Sequence, residues 1–270
     1  MNFGNSTTKA IIFLISFLIT GAAYAGAWTQ SSGKWLFVQN ISYYSTSKFF
    51  DNSGKKQNLN NYNKYELNPY IEYGLRDDVT IGANLFLQRA SQNNMSNWGI
   101  GDSEFFIRKQ LWEKDGFVFS VEPMIKLPSI ESSSQQPQIG NRNFDTVVTF
   151  SGGYSFKAWG LNHFTNLNTG YRHRFGTQND QFKLEATAGL SLSKKYMLLA
   201  QAFNTTRLTD TIQPAFTQSS SDDYDLTKLQ ISAIYKMDDK LSFQAGAFSH
   251  VAGRNVGSGS GAIIAINRNF

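Results

Sequence analysis

The chain has no cysteine, only five prolines among 270 residues, and no apolar run longer than about five residues after position 25. Without cysteine there is no disulfide scaffold. Without a long apolar run, nothing after residue 25 can cross a bilayer as a helix, which needs ~20 such residues. The longest later runs are Met197 to Ala200 and Ala262 to Ile266. Clustered positive charge is also missing. The formal charge is +5, but Lys and Arg are scattered, so no nucleic-acid surface is expected. What is present is 22 glycines and 14% aromatic residues.

The first residues have the order of an export signal. Met1 to Lys9 is polar with one positive charge, Ala10 to Thr20 is apolar, and Ala23 and Ala25 are the small residues before a cleavage point. The apolar run has eleven residues, about 16 Å of helix, roughly half the thickness of the hydrocarbon layer. Cleavage after Ala25 is expected, leaving residues 26–270 as one domain. That domain is either soluble outside the cytoplasm or a membrane β-barrel, because only a closed barrel crosses a membrane without long helices.

Period-two alternation decides for the barrel. Tyr65, Leu67, Ile71, Tyr73 and Leu75 alternate with Glu66, Asn68 and Glu72; a polar turn at Arg76 to Asp78 follows; then Val79, Ile81, Ala83 and Leu85 alternate with Thr80, Gly82 and Asn84. The pattern recurs at Phe182 to Leu192, Leu229 to Tyr235 and Leu241 to Ala247. About twelve segments emerge, at 34–46, 63–75, 79–90, 99–113, 117–127, 144–157, 161–174, 181–192, 195–208, 225–236, 240–252 and 261–270. The connections at 76–78, 114–116, 158–160, 193–194 and 237–239 are short. Those at 47–62, 91–98, 128–143, 175–180, 209–224 and 253–260 are longer and rich in Asn, Ser, Gln and Gly. Sorting of short and long connections to opposite rims fits an all-β, antiparallel, up-and-down transmembrane barrel in the outer membrane. The chain ends on Phe270, on one face with Ala262, Ile264 and Ile266. A terminal aromatic of this kind is a handle for the outer-membrane assembly machinery, and Arg268, in a place where an aromatic is usual, is expected to snorkel.

With the apolar face toward outer-membrane lipid, the polar set faces the lumen. It comprises Glu66 and Glu72; Asp102, Glu104 and Arg108; Glu122 and Lys126; Asp145; Arg172 and Arg174; Lys183 and Glu185; and Lys228 and Lys236. Acids concentrate early and bases late, so a closed barrel would set two arcs across the lumen, a transverse field able to orient a zwitterionic or polar solute. The alternative is that the charges pair and plug the lumen.

Five short stretches carry a family resemblance: Gly26-Ala27-Trp28-Thr29, Gly99-Ile100-Gly101-Asp102, Lys126-Leu127-Pro128, Tyr171-Arg172 and Ala252-Gly253-Arg254-Asn255. Together the chain resembles the small outer-membrane barrels grouped as "MetA-pathway of phenol degradation", some of them encoded beside exopolysaccharide genes. The resemblance implies a barrel and passage of a solute. Relatives have Pro-Thr-Gly where this chain has Pro128-Ser129-Ile130, so the loop that follows is expected to differ.

Catalytic patterns are weak. His163 and Thr165 share a face but lack a third member, and Asp222, Asp223, His173 and His250 form no protease-like motif. His163, His173 and His250 have no metal-ligand spacing, and Gly257 to Gly261 precedes no helix that could make it a phosphate loop. No enzyme, cofactor or metal is expected. The expected function is passage of small polar solutes, with a structural or accessory envelope role as the alternative.

Overall fold

The structure is a computed structural model that describes residues 26–130, 137–140, 143–176, 178–209 and 223–270. The expected export signal, residues 1–25, lies outside the described residues, as does Asp222.

Alternating sequence becomes strand nearly everywhere. The segments are β1 (Trp35–Phe50), β2 (Lys56–Arg76), β3 (Val79–Asn84), β4 (Leu87–Gln92), β5 (Met95–Ile100), β6 (Ser103–Lys114), β7 (Phe117–Leu127) and β8 (Asp145–Ala158). They continue with β9 (Leu161–Arg174), β10 (Gln181–Ser191), β11 (Tyr196–Arg207), β12 (Asp225–Lys236), β13 (Leu241–Arg254), β14 (Val256–Gly257) and β15 (Ser260–Asn269). β3 and β4 are two lengths of one stave against β2, as are β5 and β6 one stave farther on, and β14 is a two-residue bridge to β1. That leaves twelve antiparallel staves, each hydrogen-bonded to its neighbours in the chain. β1 pairs with both β2 and β15, so the sheet closes and no edge is left open.

The barrel is inside-out compared with a soluble protein. Ile231 is 68% exposed and Ile264 56%, whereas Arg108 is 2% exposed and Asp145 0%. Apolar side chains cover the outer wall because lipid is their solvent, and polar ones turn inward. Aromatics mark the two borders of the apolar band. Trp35 packs on Tyr73 near the short-turn rim, and Tyr43 packs on Tyr65 toward the long-loop rim. The path from Trp35 to Tyr43 along β1 is ~26 Å of strand, or ~20 Å of height at a tilt near 40°, close to the band of known barrels. Arg268, exposed near the chain end, lies over the ring of Phe270, 5.0 Å from its centroid.

Two of the expected long connections are not long. β1 runs on to Phe50 and β2 begins at Lys56, so most of 47–62 is strand; its polar residues read as loop, yet backbone pairing such as Phe50 with Lys56 needs no apolar face. The connection at 91–98 shrinks to Asn93 and Asn94, both at positive φ (53° and 63°), the geometry of a two-residue hairpin turn. Long and short connections therefore do not alternate strictly. Two expected strands are also broken, 99–113 at Gly101 and Asp102 and 79–90 near its middle. Leu85 and Phe86 interrupt β3 and β4, and the Leu85 N–H donates to the carbonyl of Pro69, which has no N–H to return.

Candidate functional site in the lumen

The fourteen charged residues singled out above all belong to the inward-facing set of their strands: even positions on β2, β6, β7, β9 and β12, odd positions on β8 and β10. Asp102 stands just before β6 on the same side. Their pairing differs from two opposed arcs. Charges cancel mostly between nearby staves, in two clusters at different heights.

The cluster toward the short-turn rim centres on Arg108. Its guanidinium lies 2.8 Å from Glu72 Oε1 and 2.7 Å from Glu122 Oε2, and it donates to the Trp28 carbonyl at 3.0 Å. The Tyr70 hydroxyl bonds Glu72 as well. The cluster toward the long-loop rim centres on Lys126 and Asp145. Lys126 Nζ is 3.0 Å from both Asp102 and Asp145; Arg172 and Arg174 approach Asp145 at 3.8 Å; and Arg174 reaches Asp223 at 3.6 Å. Burying so many charges is tolerable only because each faces an opposite one. Lys64 holds Glu66, and Lys183 holds Glu185 at 3.4 Å. Lys228 instead lies over the ring of Phe203, its Nζ 4.0 Å from the centroid. Lys236 sits half-buried at the short-turn end of β12.

The residues before β1 are the part that strand patterning does not reveal. Gly26 to Ser32 cross the lumen instead of trailing outside it. Ser32 and Thr29 bond Asp77 in the turn after β2, Gln30 bonds Thr80 and Glu72, and Ala27 N–H donates to Asn166 Oδ1 on β9, across the barrel. Gly74 and Gly153 make the room. A Cβ at Gly74 would lie 2.1 Å from the Ser31 carbonyl oxygen, and one at Gly153 would lie 2.6 Å from the Trp28 ring. The Trp28 ring also meets Phe164 edge-on, their centroids 5.8 Å apart. A Trp in an otherwise aperiodic stretch just after the expected export signal was the one sequence cue to this arrangement.

Near the long-loop rim, the Gly-Ile-Gly-Asp and Lys-Leu-Pro stretches meet in space. Asp102 accepts the Ser129 N–H and pairs with Lys126, and Ile130 N–H donates to the Ile100 carbonyl. Pro137 and Ile139 are buried there, with Asn97 Nδ2 donating to the Pro137 carbonyl.

Between the clusters is a cavity of about 180 Å³ lined by Asn84, Glu104, Glu122, Met124, Thr149, Ser151, Asn168, Gly170, Lys183 and Glu185. It could hold about six waters at ~30 Å³ each. A larger concavity of about 810 Å³ lies on the outer wall, where Ala186, Ala188, Ala200 and Ala202 leave a hollow beside Phe119, Leu229 and Ile231. It is apolar and faces lipid, so it is no part of a polar path.

The weighed catalytic residues are occupied otherwise. His163 Nε2 lies 3.0 Å from the Ala158 carbonyl and Nδ1 accepts the Ser191 N–H, so both ring nitrogens are engaged by backbone. Asp223 is held by Asn179 and Arg174. Among the described residues no three His, Asp or Glu gather as metal ligands.

Closed sheet, lipid-facing aromatics and polar lumen together define a twelve-stranded barrel of the outer-membrane type. Solved structures share that fold. The COG4313 outer membrane channel from Pseudomonas putida F1 is 14% identical, with a TM-score of 0.71 over 93% of this chain and all of that one. The KdgM porin in complex with disordered oligogalacturonate is 10% identical with a TM-score of 0.51, covering 88% of this chain and 99% of that one. The TodX monoaromatic hydrocarbon channel is 8% identical with a TM-score of 0.50, covering 90% and 91%. No protein-family model and no curated protein matches the sequence.

Proposed function

We propose that this barrel is an outer-membrane channel for small polar solutes, exported by cleavage after Ala25 and inserted by the outer-membrane assembly machinery through the strand that ends at Phe270. The observation that carries the reading is the polar cavity between the two charge clusters, inside a barrel whose outer wall is apolar. The fourteen lumenal charges set the preference among solutes: those of the two clusters narrow the path, and Glu104, Lys183 and Glu185 face the space that remains. The path is narrow because residues 26–32 cross it below the cavity. The fold shared with an outer membrane channel supports this reading, as does the resemblance of the five short stretches to the "MetA-pathway" barrels.

A second reading has its own support. The paired clusters and the crossing segment fill much of the lumen, as they would in a non-conducting accessory barrel of the envelope or of exopolysaccharide export. Swelling of proteoliposomes in graded solutes separates the two. A channel admits glycine or glycerol and excludes disaccharides. An accessory barrel admits none.

A further inference from the structure

The central cavity has a different character on its two sides. Glu104 and Glu122 approach from β6 and β7, and Lys183 approaches from β10 together with its loose partner Glu185, with β8 and β9 between them. We propose that the cavity binds a small zwitterion of the α-amino acid kind, its ammonium against Glu104 and Glu122 and its carboxylate against Lys183. This deepens the channel reading and rests on it only for the route by which the solute arrives.

Each of these groups has bonding capacity to spare. Glu104 Oε2 accepts from Asn84 Nδ2 at 3.0 Å, while its Oε1 stands 4.0 Å from Arg172, beyond hydrogen-bond length. Glu122 holds Arg108 through Oε2 alone. Lys183, with three N–H donors, makes one loose contact of 3.4 Å to Glu185. Ser151 lines the same cavity at 4% exposure and offers it a hydroxyl.

Charge balance selects a zwitterion over a simple ion. Arg108 and Arg172 already face Glu122 and Glu104, and Lys183 faces Glu185, so the surroundings are close to neutral. An ion of one sign would enter with its charge uncompensated and partly dehydrated. A zwitterion adds no net charge and meets opposite charges at both ends. The volume, about 180 Å³, suits a solute of a few heavy atoms.

The test is calorimetric titration of the folded barrel in detergent with alanine, ethylammonium and acetate. Alanine should bind at least about tenfold more tightly than either singly charged probe, the worth of one modest charge-assisted contact. Lys183→Gln should weaken alanine and leave ethylammonium unchanged; Glu104→Gln should weaken alanine and ethylammonium and leave acetate unchanged. Both substitutions keep side-chain size, and a gel-shift assay on unheated samples verifies folding. Alanine binding no tighter than ethylammonium, equal alanine binding in both variants and the parent, or no binding by folded protein would each overturn the assignment. Conductance of the same preparation is read separately. A barrel that binds alanine but passes no current removes the channel reading and leaves the site; one that conducts without binding alanine removes the site alone.

Discussion

The guanidinium of Arg108 donates to the backbone carbonyl of Trp28 at 3.0 Å, tying the wall at β6 to a segment that precedes the first strand. The same guanidinium is held by Glu72 and Glu122, so one side chain organises the lumen floor. Arg108→Met would leave two buried carboxylates without their cation and should destabilise the barrel by about 3–5 kcal/mol. Arg108→Lys keeps the charge but not the planar fork and should cost less. Urea unfolding in lipid vesicles measures both, and equal stability of Arg108→Met and the parent would contradict this account of the floor.

Leu184 and Lys183 are sequence neighbours on opposite faces of β10. Leu184 is 38% exposed on the outer wall, and Lys183 lines the cavity. Leu184→Arg should cost about 2–4 kcal/mol, the range for a cation at the bilayer midplane. Lys183→Gln should leave stability nearly unchanged. The reverse order of sensitivity would mean that the strand register is off by one residue.

Sidedness follows from the rims. Epitope tags placed within 52–54, or in the connection between β7 and β8, should be labelled on intact cells. A tag at the Trp159–Gly160 turn should be labelled only after permeabilisation. The opposite pattern would invert the barrel.

At the long-loop rim, burial works to raise the Asp180 carboxyl, but bonds from the Tyr171 hydroxyl, the Arg174 backbone N–H and the His173 ring outweigh it and hold it below the ordinary carboxylate range. A depressed folded value means that this tether stabilises the folded loop above the unfolded pKa of about 4 and fades as pH falls through the lower folded value. The segment from Phe175 to Asp180 should therefore resist pepsin near pH 4.5 and yield to it near pH 2. Asp180→Asn should remove that difference between the two pH values.

How much of this was legible in the sequence depends on which force shaped each part. Strands that cross lipid must alternate, so β7, β9 and β12 begin and end at the residues where alternation begins and ends. Inward charges were legible for the same reason. Their partners were not, because alternation says which face a residue takes and nothing of height or neighbour. Arg108 meets Glu72 from two staves away, and Lys126 meets Asp145 across a loop. The polar ends of β1 and β2 looked like loop because beyond the bilayer no lipid enforces a pattern. The crossing segment was hidden for another reason: its contacts, Trp28 with Phe164 and Ala27 with Asn166, join residues more than a hundred positions apart.

The central claim is that a polar solute path runs through the barrel and is narrowed by residues 26–32. Single-channel recording in planar bilayers tests it most directly, comparing the parent with a form in which those seven residues are replaced by a short Gly-Ser stretch. The account predicts small discrete steps for the parent and clearly larger ones for the replacement, in both salt-gradient directions. Folded protein that gives no steps in either form would contradict it.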